Sequence, residues 1–236
     1  MSHFVVGVII ENGTKEKDIY NKITEMMEPY QENNMGDCPK QYLEFLPIDE
    51  EDMEYYKNDY EKPKNKYKYD SFDKYMEECT SYEYNVAVKN YGYYENPNAK
   101  WDWYEIGGRW NNMLKLTDGS HADYSYINAI DFAGMKEETM EARANTWDNE
   151  KEDFVRMING IEKNDTREEY INRDSDFSTY AVITKDGKWH EKGRMGWWGI
   201  SDETPENKNN WNRNYYDIFI KDLNPEDIFV VVDCHI

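Results

Sequence analysis

His3-Phe4-Val5-Val6-Gly7-Val8-Ile9-Ile10 stands near one end of the chain. Ile228-Phe229-Val230-Val231-Val232-Asp233-Cys234-His235-Ile236 stands at the other. Both are apolar, β-branched runs without polar alternation. Such runs read as strands buried on both faces, near the middle of a sheet. Their pairing decides the fold. Placed side by side, as a ferredoxin-like arrangement places its first and last strands, they make the centre of one sheet. If they run antiparallel, His3 sits beside Asp233 and His235 at one end of it.

Working inward, Ile19, Ile23, Met26 and Met27 recur at helical spacing, with Thr14 as N-cap and Pro29 as stop. Tyr42–Leu46 and Tyr84–Val88 read as strands. Arg109–Leu116 reads as another, turned at Asp118-Gly119 into a return over His121–Tyr126. Met135–Ile161 predicts one long helix, with Met140, Ala144, Trp147, Phe154, Met157, Ile158 and Ile161 near the 3.6 period. Thr179–His190 is a hairpin about Asp186-Gly187. Ser201–Leu223 holds a helix whose apolar positions are Trp211, Tyr215, Ile218 and Phe219. These elements predict a single α+β domain over residues 1–236. Its sheet is mixed or antiparallel, with helices on one face. Residues 49–75 read as a polar insertion. Within it Lys64, Lys66 and Lys68 fall on one side of an extended segment, facing the neighbouring run Asp49-Glu50-Glu51-Asp52.

The 236 residues carry 49 acids against 28 bases, a net charge of -21. That charge repels nucleic acid and anionic membrane, and suits a basic partner. With 21 Tyr and 8 Trp the chain predicts a folded, aromatic core rather than disorder. Three cysteines at long spacing, Cys38, Cys79 and Cys234, exclude a disulfide framework and a cysteine zinc site. No apolar run reaches the length of a membrane span, and no basic leader precedes the first strand. The expected compartment is a cytoplasm.

Chemistry concentrates in three places. Asn96–Trp110 holds Lys100, Trp101, Asp102, Trp103, Tyr104, Gly107, Gly108, Arg109 and Trp110. Flat rings beside Lys and Arg suit a planar, phosphate-bearing ligand. The Gly pair allows a tight turn or a close approach. No phosphate-loop signature occurs. A closed tryptophan core is the competing reading. Arg194–Gly199 repeats the Gly/Trp pairing with Trp197 and Trp198. The terminal set His3, Asp233, Cys234 and His235 holds two histidines and a carboxylate, which suit a metal site or an acid–base pair, and a hydrolase would use Asp102, His3 and His235. Cys234 and His235 point to opposite faces of a strand. The reading assigns no metal ligands and no cofactor.

The chain resembles a family of uncharacterised proteins found in bacteriophage genomes. The likeness rests on Met1-Ser2-His3-Phe4, Asn96–Trp110, Met195-Gly196-Trp197-Trp198-Gly199 and Val231-Val232-Asp233-Cys234-His235-Ile236. It covers both ends and the middle, and leaves out residues 49–75. It implies a phage accessory protein of the host-cell cytoplasm that interferes with host defence. The leading expectation is non-catalytic binding of a nucleotide-like ligand in an aromatic pocket. Charge mimicry toward a basic host defence protein, and metal-dependent nucleotide hydrolysis, are the alternatives.

Overall fold

The computed structural model describes residues 2–196 and 199–236. In chain order the elements are β1 (His3–Ile10), α1 (Ile19–Met27), β2 (Glu44–Pro47), α2 (Glu50–Tyr60), α3 (Pro63–Lys68), α4 (Phe72–Cys79), β3 (Glu83–Asn85), β4 (Asn90–Glu95) and β5 (Trp103–Ile106). They continue with β6 (Leu114–Lys115), β7 (His121–Ala122), β8 (Tyr124–Tyr126), α5 (Phe132–Asn149), α6 (Asp153–Ile158) and α7 (Arg167–Asn172). The last are β9 (Ala181–Ile183), β10 (Trp189–Glu191), α8 (Pro205–Tyr215) and β11 (Ile228–His235). The chain forms two compact units. The larger joins Met1–Met27 to Trp101–Ile236, and the smaller is Glu28–Lys100.

The larger unit is α+β, and its first and last strands are adjacent, as the two apolar runs predict. β1 and β11 pair antiparallel along their whole length, from His3 opposite His235 to Ile10 opposite Ile228. The strand order is β10-β9-β1-β11-β5, with β8 also on β11. The β1–β9 pair is parallel, so the sheet is mixed. The outer edge of β11 is shared, with β8 beside Ile228–Val230 and β5 beside Val232–His235.

Helices cover both faces of this sheet, where a single helical layer was expected. The reason lies in β1 and β11, which are apolar on both sides and need cover on both. α1 buries Ile19, Ile23, Met26 and Met27, and Thr24 on it meets Tyr104 of β5. On the opposite face α8 and the π turn Tyr216–Ile220 bring Tyr215 and Phe219 over the sheet. There Gly7 leaves the space that Phe229 and the Tyr215 hydroxyl occupy.

Several local expectations are corrected. Thr14 does not cap α1. Its hydroxyl donates to the Glu11 carbonyl, and a 3-10 turn leads into the helix. Of Arg109–Leu116 only Leu114–Lys115 is strand, paired with His121–Ala122 about the expected Asp118-Gly119 turn; ahead of it Gly107 and Gly108 take φ of +72° and +51° and start a 3-10 turn. The long helix stops at Asn149. Phe154, Met157 and Ile158 lie on the separate α6 and are exposed. The wider π turn leaves Ile218 exposed while Phe219 and Ile220 are buried.

In the smaller unit the sheet β2-β4-β3 packs with α2–α4 around Ile48, Tyr69, Tyr75, Met76 and Tyr91. Two of these buried tyrosines satisfy their hydroxyls with acids: Tyr75 donates to Asp59 at 2.6 Å, and Tyr91 to Asp73. Residues 49–75 are helical here, and that changes the lysine reading. Lys64, Lys66 and Lys68 sit on α3, not on an extended segment. Lys66 pairs with Glu61, and Lys62 reaches Asp59 at 2.7 Å. Asp49 caps α2 by accepting the Asp52 N–H at 2.8 Å, so the acidic run serves that helix start.

Candidate ligand and acid–base site

Strand register builds this site. Side chains alternate across a strand, so His235 and Asp233 share a face while Cys234 takes the other. The antiparallel pairs set His3 against His235, and His235 against Trp103. Three rings, one each from β1, β11 and β5, thus meet in one cluster. Trp103 stacks on His235 with centroids 5.5 Å apart and planes 15° apart. His3 meets His235 edge-on at 5.1 Å and Trp103 edge-on at 5.4 Å.

Each histidine is held by its own aspartate. His3 Nδ1 lies 2.8 Å from Asp233 Oδ1, and His235 Nδ1 lies 2.6 Å from Asp102 Oδ1. A carboxylate oxygen only accepts, so both rings donate from Nδ1 and turn Nε2 away. The four side chains are largely buried, at 10% and 2% exposure for the first pair and 8% and 18% for the second. The two Nε2 atoms differ. That of His235 is sealed from solvent without a hydrogen-bond partner. That of His3 is not sealed, and no described residue bonds it.

The Gly pair has a specific job. A Cβ on Gly108 would lie 2.5 Å from Asp233 Cβ, and one on Gly107 would lie 2.6 Å from the Asp123 carboxylate. The close approach that the sequence suggested is thus an approach to aspartates. It lets the Arg109 N–H donate to Asp233 Oδ2 at 2.9 Å. With one oxygen on His3 and the other on Arg109 N–H, the buried Asp233 carboxylate is satisfied at both oxygens. Arg109 itself is exposed and makes no ion pair with any described residue.

The second Gly/Trp segment arrives from the other side. The Gly199 N–H donates to the Ser2 hydroxyl, one residue from His3. Ser2 and Ile236 also exchange backbone hydrogen bonds of 3.2 and 3.1 Å. Trp197 and Trp198, named as ligand-binding residues from the sequence, lie outside the described residues.

The remaining expected ligand-binding residues divide. Trp103 and Arg109 belong to the site, and Trp110 is half-buried on the turn beside it. Tyr104 lies on the α1 face, hydrogen-bonded to Thr24 at 2.9 Å. Trp101 is buried, touches Tyr104 edge-on and donates from Nε1 to the Met27 carbonyl at 3.1 Å. Both serve the core as placed. Lys100 belongs to the smaller unit, where its N–H bonds the Tyr30 carbonyl. Burial pushes the Cys234 thiol well up, so it is no ready nucleophile. Among the described residues no cluster of three or more His, Cys, Asp or Glu could hold a metal ion.

Sequence reasoning had not paired Asp102 with His235 through Nδ1. Only β5–β11 register brings these residues together, 133 positions apart. A cavity of 960 Å³ lies elsewhere, lined by Arg143, Trp147, Arg156, Arg173 and Lys208 among others. Four of its cations are engaged. Arg143 and Arg156 lie over Tyr170 and Trp147, and Arg173 and Lys208 pair with acids. Among the described residues no helix is long and apolar enough to cross a membrane. No protein-family model, curated protein or solved structure matches the chain.

Proposed function

We propose that this protein binds a nucleotide-like ligand at the sheet end formed by Trp103, Arg109 and the two histidine–aspartate pairs. In the setting that the phage resemblance implies, the ligand is a nucleotide signal of host defence. The observation that carries the reading is the Trp103 ring. It is 42% exposed, yet held flat against His235 by strand register. A fixed, half-open indole offers a base one stacking face at little ordering cost. The exposed Arg109 guanidinium, rising from the turn on Asp233, matches a phosphate by two parallel hydrogen bonds.

Titration calorimetry against 3′,5′-cyclic nucleotides, cyclic dinucleotides and ADP-ribose tests it. Base–aromatic stacking is worth about 1–3 kcal/mol, so Trp103→Ala should weaken binding roughly 5- to 150-fold. Arg109→Ala should weaken phosphate-bearing ligands and leave a nucleoside unaffected. Wild-type protein that binds none of the panel would sink the reading, as would unchanged affinity in both variants.

A further inference from the structure

We propose that His3, oriented by Asp233, is the general base of a metal-independent phosphodiesterase acting on the ligand bound at Trp103. The step goes beyond binding, and takes its substrate class from the binding reading above.

Three features carry it. Asp233 is buried and holds His3 Nδ1 at 2.8 Å, so the outward Nε2 keeps its lone pair in the neutral ring. Asp233 is itself pinned by the Arg109 N–H at 2.9 Å, so the dyad cannot swing. The ring next to it, His235, is more than nine-tenths buried. Its Nδ1 is tied to Asp102, and its Nε2 has no hydrogen-bond partner. Burying an imidazole nitrogen unpaired is costly. Here the ring serves as the plate on which Trp103 lies. Among the described residues, His3 touches the titratable side chains of Asp233 and His235 on β11, and Asp102 is joined to His235.

The reaction balances within this set. Water bound at His3 Nε2 gives a proton to that nitrogen as its oxygen attacks phosphorus. The phosphorus–oxygen bond to the leaving alkoxide breaks. That alkoxide takes the proton from Nε2–H, and His3 returns neutral. The sum is water added across one phosphodiester bond, with no oxidant, reductant or metal. Asp233 steadies the transient imidazolium, and the Arg109 guanidinium opposes the charge growing on the phosphoryl oxygens. His3 is the catalytic residue. Asp233 and His235 are positioning residues.

The test uses the full chain in excess EDTA with two probes, bis(p-nitrophenyl) phosphate and 3′,5′-cyclic AMP. Hydrolysis should rise with pH as the general base loses its proton, and then level off. His3→Gln should lower kcat about 10²- to 10⁴-fold. Asp233→Asn should lower kcat and displace the pH profile, a change that loss of structure alone would not produce. Trp103→Ala should raise KM for the nucleotide more than it lowers kcat. A wild-type rate that is nil or flat from pH 5 to 9 would overturn the proposal. So would a folded His3→Gln variant as fast as wild type. Calorimetry separates the two readings. Binding without hydrolysis removes the catalytic step and keeps the binding site. Hydrolysis of the simple diester without nucleotide affinity keeps His3 and removes the nucleotide.

Discussion

Asp102 accepts the His235 Nδ1–H at 2.6 Å, and the Asp102 N–H in turn donates to the His235 carbonyl at 2.9 Å. Two residues 133 positions apart therefore close a small ring of hydrogen bonds at the mouth of β5. Asp102→Ala would leave a buried imidazole with neither nitrogen partnered. A loss of about 1–3 kcal/mol is expected in urea unfolding. Asp102→Ala combined with His235→Phe should cost less than the sum of the two single changes, because the second removes the orphaned group. Additive losses would show that the pair is not coupled.

Gly108 stands where both backbone and space forbid a side chain. Its φ is +51°, and an added Cβ would meet Asp233 at 2.5 Å. Gly108→Ala should destabilise the fold by about 1–3 kcal/mol and weaken ligand binding together, since it pushes on the carboxylate that holds His3. Gly119→Ala is the control for strain alone. It also has positive φ, +84°, but nothing lies within 4 Å of its Cβ position. It should lower stability without touching ligand affinity.

Gly7 interrupts the β-branched run of β1 at the point where Phe229 and Tyr215 need room. A Cβ there would sit 2.4 Å from Phe229 Cζ. Overpacking of this kind costs about 1–3 kcal/mol. Gly7→Ala should therefore lower the urea midpoint, and pairing it with Phe229→Leu should recover part of the loss.

The buried tyrosines predict alkaline lability. Burial pushes the Tyr180 hydroxyl up to about 12, and pushes Tyr75, Tyr91 and Tyr215 higher still. Unfolded tyrosine ionises near pH 10. The native state therefore holds these protons more tightly than the unfolded state. Their stabilising effect is complete below about pH 10 and falls away as pH rises toward 12. Urea midpoints should drop steeply across that window. Absorbance at the tyrosinate band should show a fraction of the rings ionising only on unfolding. A midpoint that stays level to pH 12 would contradict this.

Much of the frame was legible in the residues. The runs His3–Ile10 and Ile228–Ile236 announced central strands through uniform apolarity, and β11 is buried from Ile228 to His235. Ile19, Ile23, Met26 and Met27 announced α1 by their spacing, and all four are buried. The Lys185–Lys188 turn announced β9 and β10. In each case a short-range period or a local turn preference carries the information, so neighbours along the chain suffice.

Only tertiary structure decided the rest. The sequence by itself determined that His3, Asp102, Asp233 and His235 were available, and that Gly107-Gly108 freed the backbone. It did not determine that Asp102 belongs to His235 and Asp233 to His3. Nor did it show that Trp103 faces the histidines while Trp101 and Tyr104, two and one positions away, face α1. Those choices follow from the register of β1, β11 and β5. A shift of one residue in any of these pairings would turn every side chain of that strand to the other face. Register is fixed by burying both sides of the sheet at once, a balance over contacts far apart in the chain, and no local window contains it.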